Sequence, residues 1–138
     1  MSTKEIENIK MLAENIPMFP TIVGRYEKCV EYKLQKGVCF SWDVEIVPEY
    51  KAGVHRWYLE PGTVFPSHSH GEAETMVVFD KYIILSASDM GEDLRIEEGQ
   101  CAYISPDTLH SMEAPEGARF YTITVPAGFR MGGRSHAK

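Results

Sequence analysis

The sequence predicts an all-β sandwich or barrel led by one short α-helix, and three observations carry that prediction. Helical spacing of apolar residues occurs once, near the start of the chain. A clean two-residue alternation follows it. Everything downstream is a series of short apolar or alternating runs separated by turn signals.

The helix comes first. Ser2-x-x-Glu5 is a capping-box pattern, and Ile6, Ile9, Leu12, Ala13 and Ile16 continue along one helical face up to Pro17. Val38, Phe40, Trp42, Val44 and Ile46 then share one parity and Ser41, Asp43 and Glu45 the other, as a half-buried strand with an apolar inner face requires. GVHRWYLEPG, TMVVF, YIILSAS, LRIEEG, CAYIS, HSMEA and RFYTITVPAG read as further strands. PG, DK, DMGED, EEG, SPD and PEG read as the turns between them. One domain results: residues 1–50 supply the helix and leading strands, 51–128 the barrel core, and 129–138, glycine-rich and weakly basic, a flexible tail.

Composition limits the function. At 138 residues, 43% of them hydrophobic and 25% charged, the chain belongs to the globular class and supports one ordinary core. A net charge of −6, with no dense Lys/Arg stripe, lacks the electrostatic footprint of a nucleic-acid binder. Small molecules are the expected partners. Cys29, Cys39 and Cys101 are odd in number and form no CxxC pair, which argues against a disulfide framework or a thiolate zinc site and for a reducing compartment. The opening MSTKEIENIK has no apolar signal core, and the longest apolar runs, MVVF and YIIL, are too short to span a bilayer. The expected location is the cytoplasm, with no membrane partner.

From Pro66 to Lys81 the chain reads PSHSHGEAETMVVFDK. A strand's period of two would place His68 and His70 on one face about 7 Å apart. Glu74, after the short GEA connection, can return to that face. Three nitrogen and oxygen donors on one wall make a metal-site pattern. Two solvent-facing or core histidines fit the same residues.

The stretch from Pro61, PGTVFPSHSHGEAETMVVFDK, and the later EEGQCAYISPDTLHSMEA resemble the two sequence motifs of the cupin superfamily. Gly62, His68, His70 and Glu74 match the first, G-x5-H-x-H-x3-E-x6-G, with Lys81 where glycine is expected. Gly99 and His110 match the second, G-x5-P-x-G-x2-H-x3-N. There Ser105 stands at the proline position with Pro106 following, Asp107 replaces the glycine and Ala114 the asparagine. The resemblance covers about residues 54 to 126. It implies a cupin jelly-roll, a double-stranded β-helix barrel, binding one metal ion through His68, His70, Glu74 and His110.

Three imidazoles and one carboxylate suit a divalent transition ion, Mn²⁺, Fe²⁺, Co²⁺, Ni²⁺ or Zn²⁺. Four protein ligands leave two octahedral positions for an exogenous ligand, where the ion acts as a Lewis acid. The expected function is a small metal-dependent enzyme, an isomerase or lyase, acting on a small polar oxygenated molecule. An O₂-dependent dioxygenase and a non-catalytic small-molecule binder or sensor are the alternatives. If His70 and Glu74 face inward, so do Met76 and Val78, and Met112 beyond His110, giving the substrate pocket an apolar floor. Leu59, Trp57 and His55 share an inward face, which puts Trp57 at the pocket and makes His55 a candidate acid or base. Glu72 is a second such candidate, or else a solvated loop carboxylate. Tyr103, Arg119, Tyr121 and Arg130 are polar candidates whose facing the pattern leaves open. A homodimer is expected, with the Val38 to Ile46 strand pairing across a two-fold axis.

Overall fold

The structure is a computed structural model of the chain, and it describes residues 22, 24–46, 52–88 and 90–126. The expected helix over Ser2 to Pro17, the tail at 129–138 and Arg130 lie outside the described residues. Nine strands form the rest: β1 Gly24–Lys33, β2 Val38–Ile46, β3 Gly53–Leu59, β4 Thr63–His68, β5 Ala73–Ala87, β6 Leu94–Glu97, β7 Cys101–Ile104, β8 His110–Ala114 and β9 Ala118–Val125. All pair antiparallel, in the order β1-β2-β3-β9-β5-β8-β4, with β6 and β7 also bonded to β5. The all-β barrel expected from the sequence is present. Among the described residues no helix is long and apolar enough to cross a membrane.

β5 is the strand that curls the sheet. Its first half, Ala73 to Lys81, pairs with β9 and in part with β7, and its second half, Tyr82 to Ala87, pairs with β6 and β8. The sequence reads DK as a turn between two strands, but the chain runs straight through it. A bulge between Val78 and Asp80 bends the strand there and lets it pass from one sheet to the other. Lys81 has φ 62° and Asp107 φ 63°, and these are the two glycine positions of the cupin motifs that this chain fills with another residue. The backbone has kept the left-handed conformation without the residue that adopts it at no steric cost.

Burial follows parity closely in β3, where Val54, Arg56 and Tyr58 alternate with the buried His55, Trp57 and Leu59. β2 reverses the expectation. Cys39 and Ser41 are buried, while Phe40, Trp42 and Val44 are half-buried on the outer face. That outer face is itself packed: Phe40 stacks on Tyr58 at 5.9 Å, and the Arg56 guanidinium lies 5.2 Å from the Trp42 ring and 5.6 Å from Phe79. Apolar alternation therefore identified the strand and misassigned its inner side. β1, charged and not anticipated, pairs along one edge of β2, and β3 pairs with Cys39 to Asp43 along the other.

Backbone conformation at the β5 bend is testable. Lys81→Gly should leave stability unchanged or slightly raised, because relief of the left-handed conformation offsets glycine's extra chain entropy. Lys81→Val should lower it by about 1 kcal/mol or more. Urea unfolding of the three proteins measures the difference, and equal loss in both variants would show that the lysine side chain is what matters.

Candidate metal centre

His68 and His110 are brought together by strand pairing. They stand directly opposite each other across β4 and β8, with ring centroids 4.3 Å apart. Phe65, three residues earlier on β4, faces inward, so strict alternation would turn His68 outward. A bulge between Phe65 and His68 supplies the missing residue and returns the imidazole to the inner face. His70 lies beyond the end of β4, in the connection to β5, where the Asp107 N–H donates to its carbonyl oxygen at 2.8 Å. The two histidines therefore converge through a bulge and a loop, and not through the parity of a single strand. Glu74 is the second residue of β5 and is 6% exposed.

The hydrogen bonds fix the chemistry of the rings. His68 Nδ1 faces the Pro66 carbonyl at 2.8 Å, His70 Nδ1 that of Glu72 at 3.1 Å, and His110 Nδ1 that of Thr108 at 2.7 Å. A carbonyl oxygen can only accept, so each Nδ1 carries the proton and donates it. Each Nε2 is then the basic atom. One nitrogen of each ring lies within 4.8 Å of the others.

His70 Nε2 is 2.8 Å from Glu74 Oε1, and both of this ring's nitrogens thus meet acceptors. A proton or a cation must sit on the Nε2 side. With a proton there, the Glu74 carboxylate holds the His70 imidazolium above the ordinary histidine range, and the Glu72 carbonyl assists. His68 moves the other way, because burial disfavours its charged form. In the metal-free chain, His70 contributes stability below the ordinary histidine value, and that stability is lost as pH rises through its raised pKa. His68 contributes stability above that value, lost as pH falls.

Donor geometry fits a metal ion. Two donors about 2.1 Å from one ion and at right angles are separated by ~3 Å, close to the His70–Glu74 distance. His110 Nε2 is buried 3.9 Å from Glu74 Oε1 and meets no hydrogen-bond partner. A buried nitrogen lone pair with no donor to accept from fits the role of a cation ligand. Thiolates stay out of the set: Cys29, Cys39 and Cys101 are unpaired, and burial pushes the Cys39 thiol up to about 11.

Beside the cluster lies a cavity of ≈ 10 Å³, room for one water-sized body, lined by Trp57, Phe65, His68, Glu74, Met112, Phe120 and Thr122. Trp57 and Met112 are at the wall. Met76 is fully buried in the core below and does not line the cavity. His55 is buried beside Trp57 on β3, also outside the lining. Glu72 is 6% exposed and corrects the solvated-loop reading: its Oε1 lies 3.6 Å from His70 Nδ1, on the side of the ring away from Glu74. Tyr103 is exposed, and Arg119 and Tyr121 sit on the outward parity of β9, near Asp80 and Phe79. Phe65, Phe120 and Thr122 escape sequence reasoning, although the alternation in RFYTITV already groups Phe120 with Thr122.

No protein-family model and no curated protein matches the sequence. Solved structures do. An RmlC-like cupin from Shewanella frigidimarina NCIMB 400 is 12% identical over 75% of this chain and 95% of its own, with a TM-score of 0.60. KdgF from Halomonas sp. is 17% identical over 70% and 87%, with a TM-score of 0.59. An oxalate decarboxylase from Lactobacillus farciminis, solved as a formate complex, is 17% identical over 85% of this chain but only 36% of its own, with a TM-score of 0.67. The likeness is one of fold.

Ligating imidazoles must be neutral, so protons compete with the metal. Because Glu74 makes His70 hold its proton to higher pH, competition should begin above the ordinary histidine value, near 6.5. The apparent Kd for Mn²⁺ or Zn²⁺ should rise more than tenfold per unit as pH falls from about 6.5 to 5.5, steeper than a single proton allows. Titrations at several pH values measure it, and a flat profile would remove the three-histidine site.

Proposed function

The chain has the fold of the cupins, and from that premise we propose that it is a small metal-dependent enzyme, an isomerase or lyase, acting on a small polar oxygenated molecule. The observation that carries this reading is the contact between the histidine cluster and the cavity beside it: His68 belongs to both, and Glu74, bonded to His70, lines the cavity too. A purely structural ion is enclosed by its protein ligands, whereas a catalytic one keeps a position open. Here the open side faces a walled space.

His68, His70, His110 and Glu74 would hold one Mn²⁺, Fe²⁺, Co²⁺, Ni²⁺ or Zn²⁺ ion, which when bound supplies a Lewis acid that polarises a substrate oxygen. The remaining work falls to the chain's own residues. Trp57, Phe65, Met112 and Phe120 exclude water and hold the local dielectric low, which strengthens every polar contact inside. Glu72 and the Thr108 carbonyl hold the backs of His70 and His110, keeping their Nε2 atoms aimed. Glu74 also faces the cavity, so the carboxylate that would help hold the ion borders the space for a small guest. An oxalate decarboxylase among the similar structures supports the general idea that this fold can host chemistry on a small oxygenated molecule. The unpaired thiols fit a reducing compartment such as the cytoplasm.

The apolar walls favour a second reading, an O₂-dependent dioxygenase, since so small a lined space also suits a diatomic gas. The two readings separate on oxygen. Metal-loaded protein screened against sugars, hydroxy-acids and phenols should form product under anaerobic conditions. His68→Ala with His110→Ala should abolish both stoichiometric metal and turnover while the circular-dichroism spectrum stays that of a β protein. Product formed only with consumption of dissolved oxygen would establish the dioxygenase, and saturable binding without product would establish a sensor.

A further inference from the structure

The structure assigns a task to Thr122: its hydroxyl is the hydrogen-bond donor that orients a small oxygen ligand at the metal centre, selecting guests with a second acceptor oxygen, such as a carboxylate. The inference rests on the metal-dependent reading above and adds the group that chooses the ligand.

Thr122 is on the inward parity of β9, 3% exposed, and lines the cavity together with His68 and Glu74. Trp57 Nε1 lies 2.9 Å from its Oγ1. An indole N–H is a donor only, so the hydroxyl oxygen must be the acceptor of that bond. The indole cannot readily turn away, since Trp57 stacks on Phe120 at 6.2 Å and meets the edge of Phe65 at 5.8 Å. With its oxygen engaged by Trp57, the hydroxyl has its own proton left to donate, and among the described residues no acceptor receives it. A buried donor of this kind calls for a partner.

Register shows where the partner sits. Thr122 is opposite Met76 and Glu74 is opposite Thr124, so Thr122 and Glu74 are diagonal neighbours on one inner face. Such neighbours lie roughly 7–8 Å apart, too far for a direct hydrogen bond and suited to one bridging oxygen. The cavity they line has room for one water-sized body. The other walls are apolar, which leaves Thr122 as the neutral O–H donor of the lining. Sequence supplies the logic: a threonine amid RFYTITV looks like half of an ordinary alternation until its partner is known to be a tryptophan.

Formate is the probe, because it is the smallest ligand with one oxygen for a metal and one for Thr122. Full-length protein loaded with Co²⁺ is titrated with formate and followed by the cobalt visible spectrum, and the Kd for Co²⁺ itself is measured alongside. Thr122→Val, which keeps the shape and removes the donor, should weaken formate about tenfold or more. Its Co²⁺ affinity should stay within about threefold of the parent. Thr122→Ser should restore formate binding. Thr122→Val leaves the indole N–H unpaired, so the pair Trp57→Phe with Thr122→Val removes both partners and should show the same loss in a chain without that penalty. Undiminished formate affinity in Thr122→Val, or a Thr122→Ser variant as weak as Thr122→Val, would overturn the assignment. A parent protein that binds Co²⁺ but whose spectrum ignores formate would overturn it too, with the metal site intact. No cobalt spectrum at all would instead bring down the metal-dependent reading, and the role of Thr122 with it.

Discussion

Three local hydrogen bonds set the state of the whole site: the Nδ1 protons of His68, His70 and His110 are given to carbonyls two residues away in the chain. Each bond is made within its own loop or strand end, so the tautomer is decided before any ion arrives. Reversing one of them would turn a lone pair toward a carbonyl and a proton toward the centre. The cluster would then repel a cation at that ring. The His70–Glu74 contact depends on the same arrangement, because its ring can meet Glu74 through Nε2 only while Nδ1 is committed to Glu72.

Around those bonds the barrel interior changes character along its length. Met76, Val78, Ile83, Leu85 and Phe120 make an apolar floor that supplies the driving force for folding. Beside this floor sit His70, Glu72, Glu74, His110, Thr122 and Thr124, all buried. Burying those groups opposes folding unless each finds a partner, and His110 Nε2 and Thr124 Oγ1 find none among the described residues. The core must stabilise enough to carry that cost. An ion satisfying His110 would offset part of it, which couples metal binding to stability as well as to chemistry.

How much of this was legible depends on whether a feature obeys a simple period. β3 does, and its inward set of His55, Trp57 and Leu59 was read correctly. β2 obeys the period but has apolar residues on the side that stacks with Tyr58 and Arg56, so hydrophobicity pointed to the wrong face. β4 contains a proline and a bulge, and the HxH spacing reached the right residues by an argument that needed a straight strand. His110 came from motif resemblance, since the pairing that places it opposite His68 spans 42 positions of sequence and leaves no periodic trace. Glu72 looked solvated because GEA is a short polar connection. Only the fold shows that it packs behind His70.

Ligands and walls come from different parts of the chain. The donors sit at strand ends and in the connection after β4, where motif spacing governs them. The walls, Trp57, Phe65, Met112, Phe120 and Thr122, come from the bodies of β3, β4, β8 and β9. Changing a wall need not move a donor, which is how one fold can keep its centre and exchange its substrate. Trp57 joins the two layers. Its ring is part of the aromatic packing with Phe65 and Phe120, and its N–H engages the Thr122 hydroxyl. A repacking at Trp57 or Phe120 therefore reaches the cavity as a reorientation of one hydroxyl, whereas one at Phe65 also presses on His68, whose ring lies 5.0 Å away.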